Sequence, residues 1–155
     1  SGMAESIYKM KRMIFDKGLV DSMSINENEA RVVSGVLSNY VLSQDYSKAE
    51  LMRAAVLISE VTHSIVDIHT RVMSITSAGT DCVVMPCHKV EQKTVTGAGD
   101  VWDAADVTGH ILGWSPEQRL NFANAAAGLY VSRESAEPPS LEEVLDFMRA
   151  HESRY

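Results

Sequence analysis

An α/β fold with a largely parallel sheet is predicted by three features of this chain. Short apolar runs alternate with helical runs in the front part, three helical segments close the chain, and a glycine-rich turn lies between the two regions. With 155 residues, 45% of them hydrophobic and 23% charged, the chain has the composition of one ordinary globular domain, or part of one, over 1–155. It has no repeats, low-complexity tracts or long linker.

Taken in order, Ala4 to Lys17 spaces Ile7, Met10, Met13 or Ile14, and then Leu19, as an amphipathic helix expected to face a core, with Gly18 just past its end. Ser22-Met23-Ser24-Ile25 alternates like a strand and passes at Asn26 into a helix running to Ser34. Ser47-Lys48-Ala49-Glu50 has the Ser-x-x-Glu form in which two side chains satisfy each other's backbone N–H groups, and Leu51, Ala55, Ile58 and Val61 follow on one face. Strands are predicted at Ser64 to Ile68, Val72 to Ile75 and Cys82 to Met85, the last closed by Pro86, which cannot donate to a ladder. A helix then runs from Asp100 to about Leu112. Ser115-Pro116-Glu117-Gln118 caps the next, through Leu120, Ala123, Ala127 and Val131. After Pro138-Pro139, Ser140-Leu141-Glu142-Glu143 caps a last helix with Leu141, Val144, Leu145 and Met148 expected inward.

Charge excludes some functions. A net charge of -7 and a pI near 5.2, with no Lys/Arg-rich run, give nucleic acid or anionic lipid no general attraction. No apolar stretch approaches the roughly 20 residues of a membrane span. Cys82 and Cys87 suit neither a disulfide framework nor a close metal knuckle and read as reduced thiols, which points to the cytoplasm. Ser1-Gly2-Met3 reads as an expression remnant followed by a start methionine.

Chemistry concentrates in Thr94-Val95-Thr96-Gly97-Ala98-Gly99-Asp100. Glycines at a helix start let successive N–H groups converge on an anion, and the helix dipole adds positive potential. No lysine follows the second glycine, as a P-loop requires, and the third glycine of a dinucleotide fingerprint is missing. Asp100 at the mouth of such a cradle suits a base that takes a proton from an attacking hydroxyl. A Gly-rich turn whose Asp merely caps the next helix fits the local pattern equally well.

Gly97-Ala98-Gly99-Asp100 followed by Trp102, Ala104 and Gly109 resembles the C-terminal signature of the ribokinase-like (phosphofructokinase-B) carbohydrate kinases. Asn26-Glu27-Asn28-Glu29 resembles that family's upstream Asn-x-x-Glu motif, Ala123 to Ala127 its helix beside the adenine, and Pro139 to Val144 its closing helix. The resemblance covers nearly all of the chain from Ser22 onward. It implies a three-layer α/β/α fold, C-terminal portion only, and phosphoryl transfer from ATP or ADP to a hydroxyl of a sugar or nucleoside. Asp100 would be the catalytic base, and the backbone of Gly97, Ala98, Gly99 and Asp100 the anion hole. Thr96 and Asn124 would lie at the nucleotide, and Asn26 and Glu29 would organise Mg²⁺ through its waters. The alternative for Asn26 and Glu29 is a helix N-cap and first-turn acid, and for Asn124 a local hydrogen bond.

Thr94-Val95 stands where the family often has Asp-Thr, which puts a monovalent-cation site in question. Asp106, six residues and about 600° beyond Asp100, points away from the Asp100 face and is expected in solvent; Asp103 stays open. His69-Thr70 ends a predicted strand where ligand loops gather, so His69 is a nucleotide-side candidate, or an ordinary strand-end histidine. The other histidines lack ligand spacing, and the eight methionines read as core filling. Nothing here resembles the family's N-terminal sugar pocket or lid. A complementary N-terminal half or self-association would therefore complete the protein, and a non-catalytic nucleotide-binding or interaction module is the alternative.

Overall fold

The computed structural model describes residues 2–151, so Ser1 of the expected N-terminal remnant lies outside the described residues. They form α1 (Gly2–Met13), β1 (Ser22–Asn26), α2 (Glu27–Ser38), α3 (Lys48–Thr62), β2 (Ile65–His69), β3 (Met73–Ala78), β4 (Asp81–Pro86), α4 (Ala98–Ile111), α5 (Pro116–Val131) and α6 (Leu141–His151). The fold class is α/β, with one four-stranded sheet in the order β1-β2-β3-β4. Its parallel character resides in β1 and β2, which pair from Ser22↔Ile65 to Asn26↔His69. The connections after β2, residues 70–72 and then Gly79-Thr80, are too short for a parallel crossover. Gly79 turns that second hairpin at φ 62°, and its N–H is taken by Ser59 Oγ at 2.8 Å.

Two compact units emerge among the described residues, one of 2–70 with 75–84, the other of 71–74 with 85–151. In the first unit, α2 and α3 pack with β1 and β2. The predicted Ser47–Glu50 box is present: Ser47 N–H donates to Glu50 Oε2 at 2.7 Å and Glu50 N–H to Ser47 Oγ at 3.2 Å. From this start α3 buries Leu51, Ala54, Ala55 and Ile58 completely, each large side chain contributing about 1.5–3 kcal/mol. β2 buries Val66, Asp67 and Ile68 in succession, as a strand covered on both faces does. The N-terminal helix departs from expectation. α1 buries no residue and ends at Met13, Phe15 in the following 3₁₀ turn is the buried anchor, and Leu19 is exposed. Its stripe of Ile7, Met10 and Ile14 is half-buried, and α1 packs against α2.

In the second unit, α4 packs along α5, and α6 against α5. The Ser115–Gln118 and Ser140–Glu143 boxes are both present. α6 buries Val144 while Leu141 is exposed, against expectation, because Leu141 lies in the first turn before the helix reaches the core. The chief departure is Asp106. It does not face solvent; it is 1% exposed and ion-paired with Arg119, itself 2% exposed, with His110 Nε2 at 3.6 Å. Asp106 points away from Asp100 as the helical period requires, and since Asp100 is exposed, that direction leads inward. Gly109 makes room for the arginine, since a Cβ there would approach Arg119 Cγ to 2.7 Å.

α4 is mixed in polarity: its buried face sets an ion-paired carboxylate beside Trp102 and Ala105, and its outer face, beyond Asp100 in the first turn, exposes Ala104, Val107, Thr108, Ile111 and Leu112. At the α6 end, His88 lies edge-on to Phe147 at 5.2 Å and His151 at 5.5 Å, and its Nε2 is buried without a hydrogen-bond partner. Burial and then the neighbouring His151 hold its pKa below the ordinary value, against the Asn121 hydrogen bond.

Two measurements follow from this packing. Asp106→Asn strands a buried guanidinium and should cost about 3–5 kcal/mol in urea unfolding, whereas Asp106→Leu with Arg119→Met should regain most of that loss; an unchanged midpoint in Asp106→Asn would overturn the pair's role. Because His88 binds its proton less readily folded than unfolded, its contribution is complete above about pH 6.5 and is lost as pH falls below that. Thermal melts between pH 8 and pH 5 should therefore fall less steeply for His88→Gln than for the parent chain.

Candidate functional site

α4 begins unlike the other capped helices. α2, α3, α5 and α6 start on a side chain that accepts a first-turn N–H, from Asn26, Ser47, Ser115 and Ser140 respectively. α4 starts on Gly97, which makes no side-chain cap and adopts φ 91°, ψ -4°. The first-turn amides, Gly99 and Asp100 among them, therefore have no side-chain acceptor, at the end of the helix where the dipole is positive. Asp100 is exposed in this same turn. Thr96 and Gly97 form a turn that runs directly into α4 at Ala98.

The end of α5 holds the segment leading into that turn. Val131 C=O accepts from Lys93 N–H at 2.8 Å and from Thr94 N–H at 3.1 Å, and Thr94 Oγ1 donates to Arg133 C=O at 2.8 Å. Tyr130 Oη donates to Thr96 C=O at 2.7 Å. A Cβ on Gly97 would come within 2.8 Å of that hydroxyl, so the glycine is required both by its left-handed backbone and by space.

Asn124 is 2% exposed and its amide is employed internally: Oδ1 accepts from Trp102 Nε1 at 2.9 Å, and Nδ2 donates to Pro86 C=O at 3.1 Å and, more weakly, to Met85 C=O at 3.4 Å. Its side chain joins α4, α5 and the end of β4 rather than opening toward a base. The local reading of this residue is the one the geometry favours.

In the first unit, Asn26 and His69 are register partners at the C-terminal ends of the parallel pair β1 and β2, where α/β sheets place ligand loops. Asn26 and Glu29 form a reciprocal capping box. Asn26 Oδ1 accepts from Asn28 N–H at 2.9 Å and Glu29 N–H at 3.0 Å, and Asn26 N–H donates to Glu29 Oε2 at 2.8 Å. The structure thus joins Asn26, Glu29 and His69 at one strand end. Tyr46 and Thr70, which the sequence did not single out, are there too: Tyr46 hydrogen-bonds Thr70, and partial burial raises its phenol pKa, with Glu27 adding and Thr70 and Arg31 opposing. Their separation of 24 positions, from residue 46 to residue 70, leaves no local pattern to find. Cys82 and Cys87 are not joined in a disulfide, and burial pushes the Cys87 thiol up to about 11.

No protein-family model matches the chain, and no curated protein matches it. Solved structures do. Ribokinase from Thermotoga maritima is 22% identical, with 94% of this chain and 53% of that one covered at a TM-score of 0.72. A Ribokinase II candidate from E. coli, in complex with ATP and Mg²⁺, is 22% identical over 97% of this chain and 46% of that one, TM-score 0.71. Phosphofructokinase-2 from Escherichia coli, in complex with substrates and products, is 19% identical over 86% and 41%, TM-score 0.69. The class is therefore α/β, and the particular fold is ribokinase-like. The chain spans about half the length of the structures it resembles.

Gly97→Ala should lower stability by about 2–3 kcal/mol in denaturant unfolding, from left-handed strain and the crowded tyrosine hydroxyl. In a Tyr130→Phe background the same change should cost about 1 kcal/mol less. Strict additivity would mean that the hydroxyl and the glycine are not coupled.

Proposed function

We propose that this chain is the nucleotide-side, C-terminal half of a ribokinase-like carbohydrate kinase, which transfers a phosphoryl group from ATP or ADP to a hydroxyl of a sugar or nucleoside. The observation that carries this reading is the uncapped start of α4 on a left-handed glycine, with an exposed carboxylate in its first turn. Asp100 takes the proton of the acceptor hydroxyl as its oxygen forms a bond to the terminal phosphorus. The bond from that phosphorus to the bridging oxygen breaks, and the electron pair leaves with the shortened nucleotide. The Gly97 to Asp100 amides hold the negative charge on the phosphoryl oxygens during transfer, a preorganised arrangement that needs no rearrangement in the step.

Mg²⁺ fits an outer-shell position better than direct ligation. Both first-turn bonds of the capping box occupy Asn26 Oδ1, which makes Asn26 a holder of Glu29. Glu29 is exposed and spends Oε2 on the cap, leaving Oε1 for a metal-bound water. When bound, the ion would neutralise phosphate charge. His69, beside Asn26, and Thr96 are the nucleotide-side candidates, while Asn124 supports the site by fixing Trp102.

The apolar part of the outer face of α4 beyond Asp100, with Val107 52% and Ile111 80% exposed, favours a covering partner, either an N-terminal half or a second copy. Cysteines not joined in a disulfide and a nucleotide donor suit the cytoplasm. Coverage of only 41–53% of the solved structures favours one second reading, a nucleotide-binding module without catalysis.

Calorimetric titration with Mg·ATP and Mg·ADP tests the cradle, and folded protein that takes up neither nucleotide would refute it. In the assembled kinase, Asp100→Asn should keep nucleotide binding and lower turnover by about 10²–10⁴-fold. Near-normal turnover in that variant would remove Asp100 as the base.

A further inference from the structure

We propose that Tyr130 is the positioning residue of the phosphate cradle, its hydroxyl selecting which way the peptide unit between Thr96 and Gly97 faces; this rests on the cradle reading above. Tyr130 lies in the last turn of α5, 4% exposed, and donates to Thr96 C=O at 2.7 Å. In a planar trans peptide the carbonyl and the following N–H point in opposite directions. Holding Thr96 C=O on the tyrosine therefore turns Gly97 N–H away from α5. The reverse orientation would replace that donor with a carbonyl oxygen, which repels an anion.

Such a lock is needed at this position. Gly97 has φ 91° and no Cβ, so its own sterics do little to oppose rotation of the peptide before it. The main chain is otherwise tied upstream at Lys93 and Thr94, by the Val95–Ala98 turn bond at 3.2 Å, and downstream where Gly97 C=O accepts from Val101 N–H at 3.1 Å, and none of these bonds involves the peptide unit between Thr96 and Gly97. The hydroxyl also lies 2.8 Å from where a Gly97 Cβ would stand, so tyrosine and glycine fit as a pair. An aromatic residue late in an alanine-rich helix reads as core in the sequence; only the bond to Thr96 gives it a relation to the turn.

Tyr130→Phe keeps the ring and removes the hydroxyl. Calorimetry with Mg·ATP, Mg·ADP and adenosine should show phosphate-bearing ligands weakened about three- to tenfold, with adenosine unchanged. Relaxation-dispersion NMR at the Gly97 amide should show new microsecond-to-millisecond exchange between two peptide orientations while the rest of α4 stays as in the parent. Unchanged affinities with a quiet Gly97 amide would overturn the proposal, as would equal weakening of adenosine, which marks a packing defect. If the parent chain takes up neither nucleotide, the kinase reading fails on its own. The Gly97 exchange then decides whether Tyr130 sets the turn: its appearance supports that role, and its absence ends it.

Discussion

The buried contact between Asp106 and Arg119 sets how the second unit is put together. An ion pair at 1% and 2% exposure has little solvent to compensate for misalignment, so α4 and α5 must meet at one depth and one rotation. Gly109 gives the arginine its place and Ser115 starts α5 so that Arg119 is the first buried residue along it. With Asp106 turned inward, the helical period turns Asp100 outward. The bond between Asn124 and Trp102 repeats the clamp nearer the start of α4. A charge that no reacting group touches thus fixes the facing of the carboxylate assigned to chemistry.

Helix starts divide into two kinds. Four are closed by residues three apart in sequence, and in two of them the acid is held as a carboxylate, the pKa of Glu50 and of Glu143 being lowered chiefly by the N–H of Ser47 and of Ser140. α4 instead relies on a glycine and on distant groups from α5. The first kind satisfies its own donors, and the second leaves donors over. Asn26 and Glu29 stand between these cases, since a complete capping box also presents a spare carboxylate oxygen at the strand end shared with His69.

What was legible in the sequence was local. The boxes at Ser47, Ser115 and Ser140 formed as their spacing implied, and the strand-to-helix junction fell at Asn26. The glycine turn at Thr96-Gly97 leading into α4 was legible for the same reason, because glycine spacing encodes backbone shape directly. What was not legible depended on partners. Period alone told where Asp106 pointed but not that Arg119, 13 residues on, would be waiting there. The stripe on α1 had the right spacing, but its cover by α2 is only partial, so that Ile7 and Met10 stay half-buried. Asn124 and Tyr130 owe their roles to carbonyls 38 and 34 residues away, beyond any sequence window.

The buried ion pair and the exposed aliphatic residues of α4 change how variation along it should be interpreted. Ordinarily exposure signals tolerance, and an acid in a helix is the position free to drift. Along α4 the acid at Asp106 is constrained together with its partner, so that the two can change only jointly, while Ile111, at 80% exposure, keeps an aliphatic side chain where solvent alone would ask for a polar one. Solvent accessibility is thus a poor guide to which positions of this helix are free to change.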